Sequence, residues 1–161
     1  MKKLETENFE FLTFDSKNKK HQEIVKIINK DLLFKKYFGD MSEYFEDIDF
    51  GNIDFTGNYM VYLNDSIVGF ISLYDYYKYS TLHYGLISNY RGMKLNRNSI
   101  ATSMVKEFSN SIFENAVKME YLSAYIDKEN IKSIEVAKKA GFIFYEDNIL
   151  NTQEYRKYRK I

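Results

Sequence analysis

The sequence predicts an α+β domain, a mixed and mostly antiparallel sheet with amphipathic helices packed against it. Three stretches carry that reading. Glu7 to Asp15, ENFEFLTFD, alternates with the period of a strand. Asn58 to Asn64 and Ile67 to Tyr76 are two more strand-like runs, joined by the turn-forming triplet Asn64-Asp65-Ser66, and so read as a hairpin. Ile100, Met104, Phe108 and Ile112 recur at every fourth position, and Ala101, Val105 and Phe113 widen the stripe into a helix face that packs on a sheet.

The remaining elements follow in order. Ser16 to Lys30 carries Ile24, Ile27 and Ile28 at helical spacing, and Asp31 to Asp47 reads as one or two short helices broken near Gly39-Asp40. Tyr79 to Ser88 is a third strand after the hairpin, and Tyr121 to Ile126 a short one after the long helix. Asn130 to Ala140 is a helix with Ile134 and Ala137 inward and Lys138 and Lys139 outward. Gly141 ends it, with those two lysines favouring the negative end of its dipole. Phe142 to Tyr145 and Thr152 to Arg159 are the last strands.

Composition bounds the function. The 161 residues suggest one domain, 1–161, able to bury a core without staples. With no cysteine, disulfides and thiolate metal sites are excluded, and His21 and His83, the two histidines, are too far apart in sequence to suggest a metal cluster. Zero net charge argues against a nucleic-acid partner. No stretch approaches the ~18 apolar residues of a spanning helix, and MKKLETENFEF lacks the apolar run of a signal peptide, so a cytoplasmic protein that does not engage a membrane is expected.

The chemistry concentrates in Arg91-Gly92-Met93-Lys94-Leu95-Asn96, a loop between a strand and a helix. Such a helix start offers free N–H groups and the positive end of the dipole to a phosphate. Glycine is needed there only where φ is positive or a side chain would block the approach, and Asn tolerates the left-handed region. Asn96, Asn98 or Ser99 caps the helix, and Arg91, Lys94 and Arg97 add positive charge.

The run Ser88 to Gly92, a helix, a strand, then Asp127-Lys-Glu-Asn130-Ile-Lys-Ser133 and Lys139-Ala-Gly-Phe142, resembles the Gcn-five-related N-acetyltransferases (the GNAT family), in particular the ribosomal-protein N-terminal and spermidine branch. The resemblance implies an α/β/α sandwich whose sheet splays open, with acetyl-CoA as cosubstrate in the gap and no metal. It implies an acceptor wall over about 17–57 and a cofactor core over about 58–147. Leu86, Ile87 and Ser88 would offer backbone donors. The loop Arg91, Gly92, Met93, Lys94, Leu95 and Asn96 would hold the phosphates, although Lys94 and Asn96 stand where the family loop has small residues. Asn130 would face the pantetheine arm or cap its helix, and Ser133 shares its face. The family's usual acid position is Ala137. His83 is the candidate general base, or else a half-buried strand histidine.

From Tyr37 through Tyr77 the chain has many carboxylates and no Lys or Arg, so Glu43 and Glu46 are candidates for binding a cationic amine. The basic tail Arg156 to Lys160 could face that acidic wall within the chain or in a homodimer. The expected function is transfer of acetyl to a primary amine of a small cationic molecule or a protein N-terminus. The alternative is a non-catalytic acyl-CoA-binding or protein-interaction domain.

Overall fold

A computed structural model of the protein describes residues 3–46, 55–75 and 78–160. In chain order the elements are β1 (Lys3–Glu5), β2 (Phe9–Thr13), α1 (Lys19–Lys30), α2 (Leu32–Phe38), β3 (Gly57–Leu63), β4 (Ser66–Asp75), β5 (Tyr79–Leu86), β6 (Lys94–Leu95), β7 (Asn98–Ser99), α3 (Ile100–Asn115), β8 (Tyr121–Asp127), α4 (Ile131–Lys139), β9 (Ile143–Asp147) and β10 (Thr152–Tyr158). Eight strands form one sheet in the order β1-β2-β3-β4-β5-β8-β10-β9. Neighbours are antiparallel except β5 and β8, which run parallel.

Short polar side chains set the helix starts. Asn18 accepts from the Lys20 and His21 N–H groups, Ser99 from Thr102, and Asn130 from Ser133. Asp31 ends α1 and also caps α2, accepting from Leu33 and Phe34, so one residue makes the corner between the helices. Each such cap is worth about 1 kcal/mol. After α4, Gly141 (φ 104°) closes a Schellman turn: its N–H reaches Lys138 O, and the Phe142 N–H reaches Ala137 O at 2.9 Å. α2 stops at Phe38, where Gly39 takes φ 76°.

The sheet separates two cores. One face packs on α3 and α4 through Phe11, Tyr59, Leu82, Tyr84, Leu86, Met104, Phe108 and Ala137. The other packs under α1 and α2 through Ile28, Phe34, Phe45, Phe70 and Ile87. β5 follows the period-two rule, sending Leu82, Tyr84 and Leu86 to the first core and His83, Gly85 and Ile87 to the second side. Gly85 has no alternative, because a Cβ there would stand 2.4 Å from the Phe34 ring.

Two elements differ from the sequence expectation. β1 is an added edge strand, too short to show alternation. The stretch from Lys94 to Ser99, expected as plain loop, folds into the β6–β7 hairpin. Among the described residues no helix is long and apolar enough to cross a membrane.

Three cations of the basic tail, Arg156, Lys157 and Arg159, are used inside the fold. Arg159 donates to Met119 O and Phe113 O, each at 2.7 Å, and to Ala116 O, so it caps the carbonyl end of α3. Arg156 pairs with the buried Glu154 and stacks on Tyr145 and Tyr121. Lys157 is buried, with Nζ donating to Ser109 Oγ at 2.7 Å and Asn110 Oδ1 at 2.9 Å. Burial, with Lys106 and Lys160 nearby, pushes its pKa down to about 8. The folded state therefore binds this proton less tightly than the unfolded chain, so stability rises as pH passes from about 8 to the unfolded value of 10.5. Melting temperature should climb over that window in the wild type and stay flat in Lys157→Met.

Candidate active site

β5 and β8 pair only from Tyr79↔Tyr121 to Thr81↔Ser123. Beyond that the strands part, although β5 continues to Leu86 and β8 to Asp127. A pocket lies in the gap, lined by Leu82, His83, Tyr84, Ala124, Tyr125, Ile126 and Asp127 from the strands. The end of α2 adds Tyr37 and Phe38, and the start of α4 adds Asn130 and Ser133.

The peptide groups along the gap follow from the ladder. The Ile87 N–H bonds to Val68 O at 3.0 Å, so Ile87 faces β4 and its amide is not a free donor for the gap. In an antiparallel pair the next residues point the other way, so the Tyr84 and Leu86 peptides face the gap. Leu86 O is taken by Arg91 Nε at 3.0 Å, which leaves the Leu86 N–H directed at the gap. Ser88 begins a 3-10 turn and accepts from the Arg91 N–H.

The Arg91 side chain does not reach toward the start of α3. It turns to the α2 face, where Nη2 lies 2.9 Å from Asp31 Oδ2, an ion pair off-line for a hydrogen bond. The guanidinium sits 4.8 Å from the centre of the Phe34 ring. Arg91 is thus a strut between the loop and the α1–α2 corner. Gly92 (φ 78°) and Asn96 (φ 60°) take the left-handed turns of the loop, so Asn96 adopts the conformation its residue type allows. Met93 O accepts from the Ile100 N–H at 3.0 Å, and Leu95 packs against the α3–α4 core. Lys94 and Arg97 are exposed at the hairpin. They are the loop cations left for an anion.

Asn130 and Ser133 both border the gap. Asn130 Oδ1 caps α4 through the Ser133 N–H at 3.4 Å. Ser133 Oγ donates to Tyr84 Oη at 3.0 Å, and Tyr84 Oη donates to Ser133 O at 2.8 Å. This latch ties β5 to α4 across the gap, and no spacing in the sequence marks it. Ala137 is fully buried and offers no proton.

His83 stands on the opposite side of β5. The rings of Phe38, Tyr44 and Tyr74 face it at 6.0, 6.5 and 5.3 Å, and Nδ1 lies 3.3 Å from the Tyr44 hydroxyl. Burial lowers its pKa, so the imidazole is neutral at pH 7. Glu43 and Glu46 are exposed beyond α2 and are not among the residues that line the pocket. Asp47, Asp49 and Asp54, the rest of that acidic run, lie outside the described residues.

The comparisons agree with this geometry. An acetyltransferase (GNAT) domain model matches residues 16–143. No curated relative matches the chain in sequence. Among solved structures, a GNAT-family acetyltransferase from Bacillus anthracis superposes with a TM-score of 0.75 at 17% identity, over 98% of this chain and 99% of the other. The ribosomal-protein α-N-acetyltransferase RimL, solved with coenzyme A, gives 0.72 at 12% identity, over 98% of each chain. An aminoglycoside acetyltransferase with coenzyme A and kanamycin gives 0.67 at 13%, over 94% of each. The low identities speak for the fold, and the family model, which spans most of the sequence, for descent: the chain belongs to the GNAT family of acetyltransferases.

Proposed function

We propose that the protein moves an acetyl group from acetyl-CoA directly to a primary amine held beside α2. The observation that carries this reading is the gap between β5 and β8, open to both faces of the sheet. It has an unpaired peptide edge at Tyr84 and Leu86 and a neutral histidine on the α2 side. RimL and the aminoglycoside acetyltransferase, which share the fold, hold coenzyme A.

The residues present fit such a cosubstrate. A chain of amides needs donors and acceptors along an open strand edge, and Tyr84, Leu86 and Asn130 supply them. A pyrophosphate needs cations and helix-start N–H groups, and Lys94, Arg97 and the start of α3 supply those. Acetyl-CoA brings an activated thioester. The protein removes a proton from the acceptor ammonium at His83 and offers the Leu86 N–H to developing negative charge on oxygen. With Ala137 in place of a donor, α4 gives the leaving thiolate no acid at that position. Ala137 and the departures at Lys94 and Asn96 favour a second reading, binding of acyl-CoA without transfer. Release of free thiol in the presence of an amine panel separates the two.

Three outcomes follow from the assignment. Calorimetry with coenzyme A should show Lys94→Ala and Arg97→Ala each weakening binding by about 1–3 kcal/mol, the range for charged hydrogen bonds, at unchanged melting temperature. Arg91→Ala should lower the melting temperature instead, because it strips Asp31 and Leu86 O of their partner. His83→Gln should reduce kcat about 10²-fold or more. Because burial lowers the His83 pKa, the base stays unprotonated through the ordinary histidine range, so the wild-type rate should fall only at pH below that range, a limb absent from the variant.

The acceptor is the least constrained part. Asp40, Glu43 and Glu46 follow the α2 residues that border the gap, and no basic residue lies between Tyr37 and Tyr77. This charge favours a cationic amine, a polyamine or a basic N-terminal peptide, by raising its local concentration. The KM for a polyamine should rise with ionic strength and in the Glu43→Gln, Glu46→Gln double variant, while the KM for a neutral amine stays constant. Equal turnover of neutral and cationic amines at all salt concentrations removes the acidic run from recognition.

A further inference from the structure

Asp31 turns its two carboxylate oxygens in different directions. Oδ1 accepts from the first N–H groups of α2, Leu33 at 2.9 Å and Phe34 at 3.3 Å. Oδ2 lies 2.9 Å from Arg91 Nη2. The backbone of the same residue is held as well. Its N–H reaches Ile28 O at 3.1 Å, at the end of α1, and its carbonyl accepts from the Lys35 N–H at 3.1 Å. The side chain is only 9% exposed. A carboxylate fixed from this many sides is an anchor rather than a loose surface charge.

Two arms run from this anchor to the end of β5. The first is Arg91, whose Nε donates to Leu86 O at 3.0 Å while Nη2 stays with Asp31. The planar fork of a guanidinium fixes the angle between those two contacts, which the point charge of a lysine does not. The second arm is Phe34. Asp31 holds its amide, its ring faces the Arg91 guanidinium at 4.8 Å, and it closes on Gly85, where a Cβ would stand 2.4 Å from the ring. The arms meet on either side of the Leu86 N–H. On one side Phe34 bears on Gly85. On the other the Leu86–Ile87 peptide is held at both ends, its carbonyl by Arg91 and its N–H by Val68 O at 3.0 Å. Between them the Leu86 N–H points to the gap.

We propose that Asp31 is a positioning residue for acetyl transfer, which through Arg91 and Phe34 aims the Leu86 N–H at the oxygen of the thioester carbonyl. Such a donor is effective when its direction is set before the charge develops. The neutral amine attacks the carbonyl carbon, the π pair moves onto oxygen, and that pair returns as the C–S bond breaks and the thiolate leaves. The Leu86 amide keeps its proton throughout and gives a hydrogen bond only. Because Asp31 and Arg91 carry opposite charges, the aim is fixed without adding net charge beside the acceptor. The inference rests on the reading of the gap as the place of transfer.

Asp31→Asn separates the arms. Asn caps a helix as well as Asp does, so α2 and Phe34 keep their start, while the charge that holds Arg91 is gone. In the full chain, with turnover counted per coenzyme A site by calorimetry, kcat should fall about tenfold, less than the roughly 10²–10³-fold of an oxyanion donor lost outright. The acceptor KM and coenzyme A affinity should not change. Asp31→Ala, which releases both arms, should be slower still. Arg91→Lys should match Asp31→Asn, and the double variant should be no slower than either, because both break one route. Asn18→Ala removes the cap of α1 and so also lowers the melting temperature, but it should leave kcat unchanged.

The sequence supplies a spectroscopic readout. Leu86-Ile87 is the one Leu-Ile step of the chain, so labelling with ¹³C′-leucine and ¹⁵N-isoleucine gives a single carbonyl–amide correlation. The Leu86 carbonyl carbon should move upfield in Asp31→Asn and in Arg91→Lys, as its hydrogen bond weakens, and stay in place in Asn18→Ala. A wild-type kcat in Asp31→Asn, an additive loss in the double variant, an unmoved Leu86 carbonyl or an equal loss of kcat in Asn18→Ala each overturns the proposal and leaves the transfer reading standing. A wild-type chain that binds coenzyme A but releases no thiol with any amine overturns the transfer reading, and the positioning role falls with it.

Discussion

The parting of β5 from β8 is the constraint on which the rest of the structure depends. Parallel strands that begin in register normally continue, because every unmade ladder bond leaves a donor and an acceptor without a partner. Here the ladder stops at Thr81↔Ser123 and both strands go on. Two props keep the gap open. On the α4 side, the mutual hydrogen bonds of Tyr84 and Ser133 span it and satisfy both hydroxyls. On the α2 side, Phe34 presses onto Gly85 and meets Phe70 edge-to-face with ring centres 5.6 Å apart. Neither prop supplies a partner for the exposed edge, which is left to a ligand.

The two faces of the sheet are built differently, and the difference suits the two halves of the reaction. The α3–α4 face is a continuous core that fixes the strands and the helix starts. The α1–α2 face is a smaller cluster dominated by rings: Phe34, Phe38, Tyr44, Phe45 and Phe70 pack mostly edge-to-face at 4.9 to 6.1 Å. Such rings bury much area with few rotatable bonds and prefer defined angles. They surround His83, whose Nδ1 lies 3.3 Å from the Tyr44 hydroxyl. The abundant Phe and Tyr of this face thus shape the surroundings of a titratable group.

Much of the fold was legible because it is written locally. The alternation at Phe9–Thr13, the hairpin at Asn64–Ser66, the stripe from Ile100 to Phe113 and the caps at Ser99, Asn130 and Gly141 each act over a few residues. What escaped depends on contacts far apart in sequence. Arg91 looks like a phosphate ligand until Asp31 is brought beside it, and the tail looks like a free cation cluster until the carbonyls of α3 meet Arg159. His83 stands out by residue type and strand phase. The buried Asn58, which bonds Ser72 on the next strand and the Tyr44 carbonyl, joins two strands and a loop, and no spacing in the sequence announces it. The β6–β7 hairpin was hidden by its length, two residues a side.

Arg91 shows why the substituted loop remains compatible with the fold's use. Its guanidinium engages the α1–α2 corner through Asp31 and the end of β5 through Leu86 O. By taking that carbonyl it removes an acceptor from the gap and leaves the neighbouring N–H as the donor, the polarity that developing negative charge on oxygen requires. The turn that follows needs left-handed backbone at two places, and Gly92 and Asn96 provide it. Lys94 and Arg97 are exposed, and no internal ion pair occupies them among the described residues. One cation holds the scaffold and two face outward. The division follows from geometry, because a side chain that spans from the loop to Asp31 has no length left to reach the start of α3.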